Sequence, residues 1–466
     1  MNINVSGRGW HLEFVSPARR LFRRMPFQIS RLLLLARCST VDFGKAILWR
    51  MFKLFALFHL VETLGVDPDL AGMLVMTSLV ADAATDPLVG GLIDGLSRRG
   101  WSYRLYYLVA PLIAGGVLTA FFSLTTGGWA SSWQILIFLV AFRIAYTFSD
   151  IPANLSAVQI AEQGHDATVI WGMKKGFAML GTLAISACVA PILRGQGGRF
   201  EPRNLIIAMG LLTLVTALAY VLSAGALPTA RRGASGRAAP VALSARLQAV
   251  VQNGRLWMLV GVILATGVLT DALGAGMLFI GQNVVGDAAW SGRALFWIAV
   301  GGTVAIPCGS AIALRLGRVP TLHAALVVTA LAAAAVPFTL LRSQAIYAVL
   351  AVYGFGLGLT PMMYWAISID AVAPAARAPA PSQALSLSLM SASVKVGGGL
   401  NAALIGFCLQ ASQWKDVGVG GAPRLDLITL LTLCSVAGAL IALGISVRLN
   451  TPPKCSELKL PGMPPT

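Results

Sequence analysis

Apolar and polar positions alternate along this chain in long blocks. Twelve apolar runs lie near 41–64, 69–93, 104–125, 132–153, 168–193, 204–228, 255–281, 291–314, 319–341, 345–370, 384–410 and 426–448. Such runs match the roughly 20 residues that a helix needs to cross a hydrocarbon core. In lipid a backbone must satisfy its own hydrogen bonds, so each run is expected to be a helix. A polar stretch beginning Thr229-Ala-Arg-Arg and reaching past Pro240 parts the runs into two sets of six. The expected organisation is a basic arm (1–40), a first six-helix bundle (41–228), a linker (229–254), a second bundle (255–449) and a tail (450–466). The fold class is therefore an all-α membrane protein of twelve transmembrane helices in two six-helix bundles.

Composition agrees with that pattern. Hydrophobic residues make up 57% and charged residues 11% of the chain, and the mean hydropathy is +0.77, which excludes a soluble class. A net charge of +17 would suggest nucleic acid in a soluble protein. Here the placement of the charge matters more than its size. With the N-terminus inside, twenty-one Lys and Arg fall on the cytoplasmic side and six outside, which predicts both termini cytoplasmic in the inner membrane of the cell. The basic loop with Arg194, Arg199 and Arg203 runs against that trend. The first forty residues hold seven arginines and no lysine, and their one apolar run (Arg31 to Arg37) is too short for a signal peptide. Two readings of this arm are open: a segment lying on anionic lipid, or a translation start at Met25. Six scattered cysteines without paired spacing read as packing residues, so neither a disulfide framework nor a metal site is expected. The expected partners are the bilayer and a small-molecule substrate, with no nucleic acid and no cofactor, and the chain is expected to be monomeric.

Charges inside the apolar runs carry the functional signal. Asp82, Asp86 and Asp94 recur at four and eight residues, close to whole helical turns, so they share one side of the second helix. Each such carboxylate costs about 2.5–3.5 kcal/mol to insert and by default marks an ion or substrate path. The basic turn at Arg98 and Arg99 closes that helix, and Gly309 to Arg318 shows a weaker version of the same pattern at the matching place in the second half. Two six-helix repeats with a site between them are a transporter architecture. Eight bases lie within or beside the runs: Lys45, Arg50, Lys53, Arg143, Lys174, Lys175, Arg293 and Lys395. Arg293 is placed at a helix end, from which it can snorkel. Asp150 follows Arg143 by seven residues, and Asp271 and Asp370 stand alone in the second half. Buried structural ion pairs are the plainer explanation, with Lys395 on Asp82 or Asp86 and Arg143 on Asp150 as the pairs to look for. So many charges in the N-terminal half favour a watered cavity instead.

The blocks Asp82-x-x-x-Asp86-Pro87, Asp150-Ile151-Pro152, Phe177-Ala178-x-Leu180-Gly181 and Val394-Lys395-x-Gly397-Gly398 occur in one order. In that order they resemble the glycoside–pentoside–hexuronide:cation symporters, melibiose-permease-like members of the major facilitator superfamily, over about residues 40–450. The resemblance implies the major-facilitator fold and a coupling cation, Na⁺ or H⁺, on Asp82 and Asp86, with Thr85 and Thr147 able to add oxygens. It puts Asp150 and Lys175 by the substrate and Lys395 near the cation site; with Lys45, Arg143 and Asn154 these are the candidate substrate-binding residues. Asp94, Arg98 and Arg99 read as a conformational latch at the cytoplasmic end. The chain departs from the family at Ala46, where an acid is expected, at Asn154 in place of an aromatic, at Arg143 in place of a small residue, and after Asp370, where an acidic run is missing. The galactoside site is thus not preserved. The extra cations Arg50, Lys53 and Arg143 would suit a solute bearing a carboxylate or phosphate.

The function expected is cation-coupled symport of a small polar solute, sugar-like or an organic anion, by alternating access. A proton-coupled metabolite exporter is the alternative within transport. A membrane prenyltransferase using Asp82 and Asp86 for Mg²⁺ lacks the second aspartate cluster it would need, and a receptor on a transporter fold is a further reading. No Walker loop, His-Glu-x-x-His or Cys-x-x-Cys is present, so ATP-driven and metalloenzyme readings have no support.

Overall fold

In the computed structural model the described residues are 17–98, 103–125, 131–160, 164–193, 202–226, 248, 250–340, 344–372, 382–412 and 425–450, and they form helices and turns without a strand. The first six long helices are α1 (Pro17–Phe58), α2 (Pro68–Arg98), α3 (Tyr103–Thr125), α4 (Ser132–Ile160), α5 (Gly164–Leu193) and α6 (Pro202–Ala224). Helix α7 starts at Gly254–Ala265 and continues in broken form to Val285. It is followed by α8 (Ala288–Leu316), α9 (Arg318–Thr339), α10 (Ala345–Val372), α11 (Ser382–Ala411) and α12 (Leu425–Val447).

Nine of these, α3, α4, α6 and α7–α12, are long and apolar enough to cross a membrane among the described residues. The other three, α1, α2 and α5, carry most of the charged positions singled out above, among them Lys45, Arg50, Lys53, Asp82, Asp86, Lys174 and Lys175. Large apolar side chains face outward in rows, such as Leu211, Leu214 and Leu218 on α6 and Leu331 and Phe338 on α9, each more than half exposed. Water would not tolerate so much contiguous apolar surface; lipid would.

Helices α1–α6 pack mainly on one another, as do α7–α12, and the two groups meet chiefly where α2 lies against α11 and α5 against α8. Small residues permit the first contact. A Cβ added at Gly72 would lie 2.8 Å from the Ala402 carbonyl oxygen and 2.9 Å from the Ala403 Cα. Backbones this close leave no room for a side chain. Gly72→Leu is therefore expected to force α2 off α11 at a cost of about 1–3 kcal/mol, read as a lowered unfolding temperature; an unchanged temperature would contradict this packing.

Helix α1 differs from expectation. It is continuous from Pro17, and Leu35, Cys38 and Ser39 are already buried, so the basic arm placed over 1–40 is shorter and its last residues belong to the bundle. The reason is local. Arg37 Nε of α1 donates to the Leu222 carbonyl (2.8 Å), one that α6 leaves free at its C-terminal end, and Ser223 Oγ of α6 donates back to the Cys38 carbonyl of α1 (2.8 Å), so the two helices are tied there.

Helix α7 also departs from a plain apolar run. Its middle widens into a π-helical turn at Thr266–Thr270, where Asp271 N bonds back to the Thr266 carbonyl (3.2 Å). Side chains from three other helices fill the backbone bonds this loosens. Asn401 Nδ2 donates to the Val268 carbonyl (2.8 Å), and Tyr353 Oη (2.5 Å) and Ser435 Oγ (2.9 Å) both donate to that of Thr270. Irregular backbone at membrane depth is tolerated on such terms.

Candidate functional site

Four polar residues of α4, Arg143, Thr147, Asp150 and Asn154, follow one another at four, three and four residues and so form one stripe. That stripe meets α2 at its Arg143 end and α1 at its Asn154 end. Two charge clusters result.

The first joins α2, α4 and α11. Asp82, 1% exposed, accepts from Thr147 Oγ1 (2.8 Å) and Lys395 Nζ (3.1 Å), both at Oδ1. Asp86, one turn further along, takes Lys395 at Oδ2 (2.5 Å) and lies 3.1 Å from the same Thr147 hydroxyl. Arg143 Nη1 stands 4.0 Å from Asp82 Oδ2. The α2–α11 packing at Gly72 thus delivers a lysine of one half onto two carboxylates of the other. Hard oxygens from Asp82, Asp86 and Thr147 converge here, the donor chemistry that a Na⁺ or proton site needs. Among the described residues no group of three or more His, Cys, Asp or Glu comes together as a metal site would require.

The second cluster joins α1, α4 and α5. Lys45 Nζ lies 2.5 Å from Asp150 Oδ1, 3.1 Å from Asn154 Oδ1 and 3.5 Å from Asp42 Oδ1. Asn154 Nδ2 donates to Asp150 Oδ2 (3.2 Å), and Lys174 pairs with Asp42 while donating to the Ala153 carbonyl (3.1 Å). Two acids and two lysines balance one another, three of them from the stretch where α1 passes α4. Beside them Lys175 directs its ammonium toward Trp365 on α10, 5.9 Å from the ring centre and across the gap between the halves.

A small cavity between the halves is lined by Trp49, Phe52, Lys53, Arg143, Phe279 and Asn401, among others. Lys53 pairs there with Asp271 of α7, and nearby the Asn283 amide donates to Glu62 (2.7 Å). Arg50 is not among the cavity's lining residues.

Most of the residues singled out in the sequence come together, with corrections. Lys395 meets Asp82 and Asp86 as expected. Arg143, however, faces Asp82 and not Asp150, whose partner is Lys45, because Asp150 lies one stripe-length further along α4 and opposite α1. Thr147 reaches both carboxylates, whereas the Thr85 hydroxyl is bound to its own helix at the Asp82 carbonyl (3.1 Å). Arg293 is exposed and pairs with Asp287 at the start of α8 (2.6 Å), in keeping with a helix-end position. The latch residues Asp94 and Arg98 lie on α2 with side chains outside the described residues, as does the whole of Arg99. Asp42, Lys53 with Asp271, and Glu62 with Asn283 are partnerships the sequence did not signal. Asp42 could have been found from its spacing of three to Lys45, a helical neighbour.

Residues 39–449 match a family described as MFS/sugar transport protein, which bears out the resemblance carried by the aspartate and lysine blocks. An uncharacterized symporter of Synechocystis sp. is 25% identical over 195 residues, 39% of this chain and 34% of that protein. The symporter YjmB of Bacillus subtilis, also uncharacterized, is 28% identical over 160 residues, 33% of this chain and 34% of that one. A protein of Escherichia coli with the provisional name glycoside/cation symporter YagG is 24% identical over 176 residues, 37% of this chain and 38% of its own length. The matched stretches thus span little more than a third of each relative. The crystal structure of the nucleoside transporter NupG superposes with a TM-score of 0.61 over 90% of this chain and all of that one, at 14% identity, which shows a shared fold.

Proposed function

We propose, for a chain that belongs to the MFS/sugar transport family, that it is a secondary active transporter coupling a cation to the passage of a small polar solute. The observation that carries this reading is the set of bonds from Lys395 on α11 to Asp82 and Asp86 on α2. A charge cluster shared by two halves gives a bound cation leverage on their relative position. A cation that competes with Lys395 for these carboxylates favours one arrangement over the other, and by linkage the solute that prefers that arrangement binds more tightly. Asp82, Asp86 and Thr147 hold the coupling cation, Na⁺ or H⁺, with Thr85 beside them. Lys45, Arg143, Asp150, Asn154, Lys175 and Lys395 surround the solute path.

The solute is sugar- or glycoside-like, or an organic anion. Lys45 and Lys174 already have carboxylate partners, which leaves Lys175, with no carboxylate within ion-pair distance among the described residues, as the cation best placed to meet an anionic group. The protein works as a monomer in the cytoplasmic membrane, both termini inside, with α1, α2 and α5 also crossing to complete twelve spans. Asp94, Arg98 and Arg99 act as a latch at the inner end. The reading of Asp82 and Asp86 as an enzyme's Mg²⁺ ligands is set aside, because the matched family is one of transporters.

Uptake in membrane vesicles, screened over sugars, glycosides and organic acids under imposed Na⁺ or pH gradients, tests the proposal. At least one solute is expected to accumulate against its gradient only while a cation gradient is present. Counterflow in the same vesicles reports the direction of transport.

A further inference from the structure

Arg143 is the bulkiest of the fully buried side chains, 1% exposed, and it sits inside the first charge cluster. Its guanidinium carbon lies 3.7 Å from the ring centre of Phe52, 4.6 Å from that of Trp49 and 5.5 Å from that of Phe142. Three rings of α1 and α4 therefore fix the charge by cation–π contact, within the same half as Asp82. At 4.0 Å the approach of Nη1 to Asp82 Oδ2 is too long for a hydrogen bond. Consistently, Asp82 Oδ2 and Arg143 Nε and Nη1 are buried without hydrogen-bond partners. The guanidinium acts on the carboxylate as a charge and not as a ligand.

Charge counting shows the consequence. Two carboxylates without Arg143 would present two negative charges from one half, and Lys395 from the other would leave one for an external cation. With Arg143 present, Asp82, Asp86, Arg143 and Lys395 sum to zero in the arrangement seen here. A guanidinium does not give up its proton in a protein, so the contribution of Arg143 to this balance is permanent. A Na⁺ on Asp82 Oδ2 would share that oxygen with a fixed like charge whose Nη1 lies 4.0 Å from it, and two like charges about 4 Å apart at the effective dielectric of protein charge pairs weaken binding by up to roughly a thousandfold. The other Asp82 oxygen already accepts Thr147 and Lys395.

We propose that Arg143 is a built-in cation of this site: it stands permanently in place of a Na⁺ at Asp82, and the transporter does not bind Na⁺. This rests on the reading of the α2–α4–α11 cluster as the coupling site. Of the two coupling ions considered above, it leaves the proton, which needs only the single carboxylate of Asp86, 24% exposed, whereas Na⁺ needs several oxygens at once; at Asp82 the same like charge opposes protonation as well.

The test needs no solute, so it is independent of whether gradient-driven uptake is found. Purified full-length protein is titrated with NaCl against choline chloride at constant ionic strength, following tryptophan fluorescence (Trp49 lies on the guanidinium) and thermal unfolding. The unsubstituted chain is expected to show no saturable Na⁺ response. Arg143→Gly should acquire one at millimolar concentrations, roughly a thousandfold gain by the same Coulomb argument, and Asp82→Asn in that background should remove it. Arg143→Lys, which retains a cation, should stay unresponsive. If Arg143→Gly does not fold, Arg143→Gln carries the same expectation. A saturable Na⁺ response of the unsubstituted protein that Asp82→Asn abolishes would overturn the proposal, as would a folded, uncharged variant that gains none.

Discussion

Replacing Asp86 by Cys is expected to abolish gradient-driven accumulation while leaving part of the solute binding in place. Asp86 accepts from Lys395 and contacts Thr147, and its side chain is 24% exposed, so its loss removes a charge without opening the deepest part of the cluster. If coupling passes through this carboxylate, the cation should no longer alter solute affinity, a loss of roughly 5–150-fold in the cation's effect. Asp82→Cys should give the same transport result with a larger structural penalty. Asp82 is almost fully buried between Lys395 and Arg143, and removing it leaves two buried cations short of a counter-charge. The variant Asp82→Asn with Arg143→Gln removes one charge of each sign. It should recover much of the unfolding temperature but none of the coupling. Full accumulation by both single variants would mean that the cation binds elsewhere.

The second large effect is expected at Lys45. Its ammonium serves Asp150, Asn154 and Asp42 together, and the residue is 9% exposed. Removing one member of a buried charge pair costs about 3–5 kcal/mol, mostly because the partner is left uncompensated. Lys45→Met should therefore lower the unfolding temperature strongly, and Asp150→Asn in the same chain should restore part of it. Here the structural and transport roles can be separated. If Asp150 only neutralises Lys45, the double variant recovers transport along with stability. If Asp150 and Lys45 contact the solute, stability returns and solute affinity does not.

How much of this was legible in the sequence varies from helix to helix. The α2 aspartates announced themselves because acids are costly in an apolar run, and their spacing of four already placed them on one side of the helix. Lys395 was legible for the same reason. Asp42 was not, because the apolar pattern put the start of the first helix at 41, where an acid looks like a terminus. The structure continues α1 back to Pro17, so Asp42 lies mid-helix beside Lys45 and Lys174. The partner of Arg143 was misjudged because a spacing of seven says that Arg143 and Asp150 share a stripe of α4, not which neighbouring helix each one meets. The pairs Lys53–Asp271 and Glu62–Asn283 join the two halves of the chain, and no local pattern encodes such a contact. The widened turn of α7 was hidden too, since its loosened backbone is repaired by Asn401, Tyr353 and Ser435 from distant segments.

The most direct test of cation-coupled transport is solute accumulation by the purified protein in liposomes, with the imposed cation gradient collapsed by an ionophore partway through. The account predicts accumulation above the external concentration that falls back to equilibrium when the gradient is dissipated, and that never develops with Asp86→Cys. Accumulation that persists after the gradient is gone, or that Asp86→Cys supports in full, would contradict it.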